Sequence, residues 1–108
     1  MTFDEIKTEI KTCGNQEIRV ERPEYLEMVI TKAHEPALAP KLSGIFGAPA
    51  WPSKEKIPAD VSALIQNCGG IMQGQSLYVL REGAGIVFLM LWPWSDGSHT
   101  TVKLGISA

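Results

Sequence analysis

The sequence predicts an α+β fold: one two-layer domain spanning 1–108, a mainly antiparallel sheet of about five strands with two to three helices in the order α-β-β-α-α-β-β-β. Three observations predict it. Stretches such as "EIRV" and "HTTVKLGI" alternate with period two, while residues 3–13 and 57–68 carry apolar residues every three or four positions. The strands arrive in runs and do not alternate strictly with helices, which favours antiparallel pairing with helices packed on one sheet face. Finally, 108 residues suit one core, which at this size hides roughly two thirds of the surface of the extended chain.

The first helix opens at Thr2, because Thr2 and Glu5 have capping-box spacing, and Phe3, Ile6, Ile10 and Cys13 then line one face. Gly14 and Asn15 supply its stop. The "EIRV" stretch, 17–20, reads as a half-buried strand with Ile18 and Val20 on one side. Arg22-Pro23-Glu24 interrupts it, and 25–32 resumes with Leu26, Met28 and Ile30 on one face, so a hairpin or bulged pair is expected.

Leu38, Leu42, Ile45 and Phe46 then fall at helical spacing, which predicts a short helix of about two turns with Pro40 in its first turn and an end near Gly47. The stretch "GAPAWPSKEKIP", 47–58, holds three prolines and no period and is expected to be a loop. Ile57, Val61, Leu64, Ile65 and Cys68 define the next helix, stopped by Gly69-Gly70. Three strands close the order, at 70–81, 84–92 and 99–106, joined around Glu82-Gly83-Ala84-Gly85 and Ser95-Asp96-Gly97-Ser98. Gly74 and Gly105, inside predicted strands, suggest a bulge or a close backbone approach.

The stretch at 86–92 is seven apolar residues long. Side chains alternate across a sheet, so Ile86, Phe88, Met90 and Trp92 point one way while Val87, Leu89 and Leu91 point the other. One layer of helices covers a single face, and a second apolar face left in water forgoes about 25 cal/mol per Å² of burial. Three covers present themselves: the 47–58 loop with Trp51, a second copy pairing sheet faces as a homodimer, or an apolar ligand or peptide under Trp51 as a lid. Val87, Leu89 and Leu91 are therefore candidate interface residues. Trp92 and Trp94 share a side, and Pro93 between them is expected to end the hydrogen-bond ladder, leaving the rings to cap the sheet end or anchor an interface.

Composition removes several function classes. A formal net charge of −2 with no basic stripe speaks against nucleic acid. The N-terminal ten residues lack the basic start and continuous apolar run of a secretion signal, and no stretch reaches the roughly 20 apolar residues of a membrane helix, so a cytoplasmic protein that meets no membrane is expected. Cys13 and Cys68 each precede glycine at a predicted helix C-terminus, whose negative end disfavours a thiolate, so both read as inert thiols in a reducing compartment. Cys13, Cys68, His34 and His99 are formally a zinc set, yet none is paired at the spacing such sites use, and no metal or cofactor is expected. The glycines match neither nucleotide-binding fingerprint. His99 lies near Asp96, an acid-base pair with no nucleophile placed beside it.

These residues point to a small binding or assembly module without catalysis, self-associating through an apolar sheet face or meeting a protein partner. The alternative is a small-molecule site or minor enzyme under the 47–58 loop. Candidate binding residues are Trp51, Tyr78, Trp92, Trp94 and His99, with Trp51, Tyr78 and Trp92 lining the site under the loop.

Overall fold

A computed structural model of the chain describes residues 2–13, 17–83 and 85–107. Its elements are α1 (Phe3–Lys11), β1 (Glu17–Arg22), β2 (Tyr25–Thr31), α2 (Glu35–Phe46), α3 (Ala59–Gln66), β3 (Ser76–Glu82), β4 (Gly85–Pro93) and β5 (His99–Ile106). Both the order and the α+β class are those predicted. The stop at Gly14 and Asn15, and Ala84 of the β3–β4 turn, lie outside the described residues.

Thr2 caps α1 as its spacing requires: its hydroxyl accepts from the Glu5 N–H while the Glu5 carboxylate accepts from the Thr2 N–H. The second helix departs from expectation. It begins at Glu35, so Pro36 occupies the first turn and Pro40 lies inside the helix. Pro40 withholds one intrahelical bond, and its exposed position lets water reach the carbonyl left behind. The Thr100 hydroxyl bonds the Glu35 carboxylate, tying this early start to β5. In α3 the expected stop is present, with Gly69 and Gly70 both at positive φ and the Gly70 N–H returning to the Ile65 carbonyl at 2.9 Å.

All strand pairs are antiparallel, in the order β1-β2-β5-β4-β3. β5 is therefore the central strand, although it is last in sequence. β1 differs from expectation in two ways. The register slips between Ile18 and Val20, setting Ile18 opposite Met28 but Val20 opposite Glu27, so the two do not share a side. The strand is also largely exposed, because it is the sheet edge and bulged. β3 begins only at Ser76, and Gly74 sits at positive φ in the turn before it, where the Gln75 N–H reaches the Met72 carbonyl at 3.0 Å.

Pro93 does not end the ladder. It pairs with Thr100, and the next residue, Trp94, donates its N–H to the His99 carbonyl at 2.8 Å. Trp94 donates toward β5, so the Pro93 nitrogen faces the other side, where β3 has already stopped opposite Leu91. A missing donor there costs no strand pairing.

The opposite sheet faces carry separate apolar clusters. On one, Leu26, Met28 and Ile30 of β2, Val102 and Leu104 of β5 and Val87 and Leu89 of β4 meet Phe3, Ile6 and Ile10 of α1 and Leu38, Leu42 and Phe46 of α2. On the other, Ile86, Phe88 and Met90 of β4 and Leu77 of β3 meet Val61 and Ile65 of α3, with Trp51 and Ile57 packed alongside. The predicted helical layer is thus α1 and α2, while α3 and the 47–58 segment cover the β3–β4 half of the reverse face. Trp51 is stitched to the outer edge of β3 by two backbone bonds with Leu77, at 2.9 and 3.2 Å. Among the described residues, no helix lies over the β2–β5 half of that reverse face.

Candidate functional site

The double-faced strand is covered by its own chain on both sides. Val87 and Leu89 are fully buried beneath α1 and α2, and Leu91 packs partly buried against the same cluster. This row, expected as an interface, is core. Each such Leu or Val contributes about 1.5–3 kcal/mol by leaving water.

The aromatic residues expected to line one site are divided by the sheet. Tyr78 packs on the α1–α2 side, with its ring centroid 6.0 Å from that of Phe46, whereas Trp51 and Trp92 belong to the α3 side. Residue parity along adjacent strands makes this separation unavoidable. A depression of about 460 Å³ does lie under the 47–58 segment, between Pro49, Lys56, Val61, Val79 and Arg81, and it touches none of the three.

Trp94 and His99 are brought together. Their ring centroids are 4.8 Å apart, the Trp94 indole N–H donates to the Thr101 hydroxyl at 2.8 Å, and the Arg19 guanidinium lies 5.2 Å from the Trp94 ring. His99 Nδ1 is 2.7 Å from Asp96 Oδ2. The Asp96 carboxyl is held below its ordinary pKa, first by the Ser98 N–H and then by His99. The expected pair is present, and its neighbours are an indole, a guanidinium and turn amides, a set that packs and caps the end of the sheet.

The larger concavity lies on the open β2–β5 half of the reverse face, a groove of about 620 Å³ bounded by the C-terminal end of α3. Its geometry follows from the register. Tyr25, Gly105 and Phe88 form one row across β2, β5 and β4, and Glu27, Lys103 and Met90 form the next. Gly105 makes the floor. A Cβ on Gly105 would meet the Phe88 ring at 2.6 Å and the Tyr25 ring at 3.3 Å, so the missing side chain is what lets both rings lean over the strand. The expectation of a close approach at Gly105 holds.

Trp92 forms one wall and rests against Gly69, where a Cβ would stand 2.4 Å from the indole. The Lys103 ammonium lies 3.5 Å from the Trp92 ring centroid and donates to the Cys68 carbonyl at 2.9 Å. That carbonyl lies in the turn just past the C-cap Asn67 of α3, beside the negative end of the helix. Lys103 thereby ties the turn after α3 to the sheet. On the opposite wall the Tyr25 hydroxyl donates to Glu27 Oε1 at 2.7 Å, and burial followed by the Glu27 carboxylate pushes the Tyr25 pKa well above that of a free phenol. Trp92 Nε1 is buried without a hydrogen-bond partner, an arrangement that costs on the order of 1–3 kcal/mol.

Of the candidate binding residues Trp51, Tyr78, Trp92, Trp94 and His99, Trp92 alone lines this groove. Tyr25, Glu27 and Lys103 are brought to it by the strand order. Glu27 and Lys103 occupy the polar positions of alternating strands, which reads as a wet face. Burial is the first cause raising the pKa of both Cys13 and Cys68, consistent with inert thiols, and the two lie in clusters on opposite faces. Among the described residues no three His, Cys, Asp or Glu side chains gather as metal ligands, and no helix is long and apolar enough to cross a membrane.

No protein-family model, curated protein or solved structure matches the chain.

Proposed function

We propose that the chain is a small binding module without catalysis, and that its site is the groove between the end of α3 and the β2–β5 half of the sheet. The observation that carries this is the groove's construction: aromatic walls from Tyr25, Phe88 and Trp92 over a glycine floor, with charged groups set among them. Binding sites are commonly apolar concavities with a few placed polar groups, and this one has that composition. The non-catalytic part is supported by the His99–Asp96 pair, which is engaged in stacking and turn bonds away from the groove. Self-association through Val87, Leu89 and Leu91 has no support in a row packed under α1 and α2. A cytoplasmic setting belongs to the same proposal, and two free thiols on opposite faces of one sheet suit a reducing compartment.

Amide chemical-shift mapping against a panel of small aromatic and aliphatic compounds tests it. Shifts concentrated at Leu64, Cys68, Phe88 and Gly105, and weakened by Trp92→Leu, are expected. A panel that moves no groove amide, or moves only those between 47 and 58, would overturn the assignment.

A further inference from the structure

The groove's charges indicate what it binds, and this step rests on the groove being the binding site. Glu27 and Lys103 are cross-strand partners on the same face, with opposite charge. Such neighbours ordinarily pair. Here no ion pair joins them: Glu27 Oε1 is taken by the Tyr25 hydroxyl, while Lys103 turns to the Cys68 carbonyl and the Trp92 ring. Each keeps unused capacity. An ammonium has three donors, of which the Cys68 carbonyl takes one, and a carboxylate has a second oxygen beyond the one Tyr25 occupies. The remaining charged residues of the groove, Arg22 and Glu24, are also of opposite sign, so the lining carries no net charge.

We infer that the ligand is a zwitterion with a flat apolar body, the chemistry of a free aromatic α-amino acid. Its ammonium meets Glu27, its carboxylate meets Lys103, and its ring lies against Phe88 and Trp92. A singly charged ligand satisfies one wall and leaves the other charge without a counter-charge. A neutral ring satisfies neither.

The test uses the whole chain and four probes: L-phenylalanine, 3-phenylpropionate, 2-phenylethylamine and indole. Affinities are read from groove amide shifts. Phenylalanine is expected to bind at least about tenfold more tightly than 3-phenylpropionate or 2-phenylethylamine, since each of these forgoes one charge-assisted contact. Glu27→Gln, which keeps an acceptor for Tyr25, is expected to bring phenylalanine down to the 3-phenylpropionate level. Lys103→Met is expected to bring it to the 2-phenylethylamine level, with folding of both variants verified by their spectra away from the groove. If either half-molecule or indole binds in the groove as well as phenylalanine, or if both variants leave its affinity unchanged, the zwitterion inference fails while the groove stands as a site. If none of the four probes moves a groove amide, the inference and the site fail together.

Discussion

Lys103 and Trp92 meet across two adjacent strands, the ammonium 3.5 Å from the indole centroid, and the same ammonium holds the turn after α3 through the Cys68 carbonyl. One side chain thus joins that turn, the central strand and an aromatic wall. Lys103→Met keeps the aliphatic length and removes the charge. A cation over a partly desolvated indole is worth about 1 kcal/mol, so urea denaturation is expected to show a loss of that size with an unchanged slope. A variant as stable as the parent would remove the energetic role assigned to this contact.

Leu89 is fully buried between the sheet and the α1–α2 layer. Leu89→Ala is expected to lower stability by about 3 kcal/mol, the transfer and cavity terms together. Sedimentation of the variant is expected to match that of the parent. A variant that keeps its stability but changes its association state would mean the row faces another chain.

Gly69 combines a φ of +100° with a Cβ position 2.4 Å from the Trp92 indole. Gly69→Ala is therefore strained twice, by backbone conformation and by contact. The conformational part costs about 1–2 kcal/mol and stays whatever the neighbour is. Trp92→Leu is expected to relieve the contact part only, so a double-mutant cycle should show coupling of opposite sign to two simple losses. Additive losses would mean that the ring does not press on this position.

Asp96 is depressed below its ordinary pKa by the Ser98 N–H and by His99. For a carboxyl depressed on folding, the stabilisation is present above the unfolded value of about 3.9 and is lost as pH falls through the folded value. Asp96→Asn preserves an acceptor and removes the charge. The variant is expected to melt below the parent at pH 6, and the two Tm values are expected to converge as the pH is taken down through the acid range. A gap that stays constant with pH would assign the effect to shape alone.

Cys13 and Cys68 both have pKa values raised by burial, so at pH 8 each holds less thiolate than a free cysteine and should be alkylated more slowly in the native protein. Lys103 partly offsets the rise at Cys68, where it is the leading favourable charge. Lys103→Met is accordingly expected to slow Cys68 further and to leave Cys13, on the other face, unchanged. Faster alkylation of Cys68 in that variant would show that access, and not charge, sets its rate.

Much of the architecture was legible because it is written in local signals. The Thr2–Glu5 capping box, the Gly69-Gly70 stop and the parity of Leu26, Met28 and Ile30 each depend on residues within a few positions of one another. What could not be read depends on distant pairing. The bulge at Arg19 is a relation between β1 and β2, and it overturned the parity assumed for Ile18 and Val20. The early start of α2 turns on where two prolines fall relative to Glu35 and on its tie to Thr100 of β5. The groove was the least visible feature. Lys103 meets a carbonyl 35 residues earlier, and neither residue type announces this. The β3–β4 register separates Tyr78 from Trp92, since it sets Leu77, not Tyr78, on the Met90 side.

The placement of β5 between β2 and β4 has a consequence for how the molecule is assembled. Until residues 99–106 dock, the β1–β2 and β3–β4 hairpins share no hydrogen bond, and two isolated hairpins are marginal in water. The groove floor is made of that same segment, so the cavity cannot exist in any half-assembled form. The concavity and the finished sheet are therefore completed by the same strand.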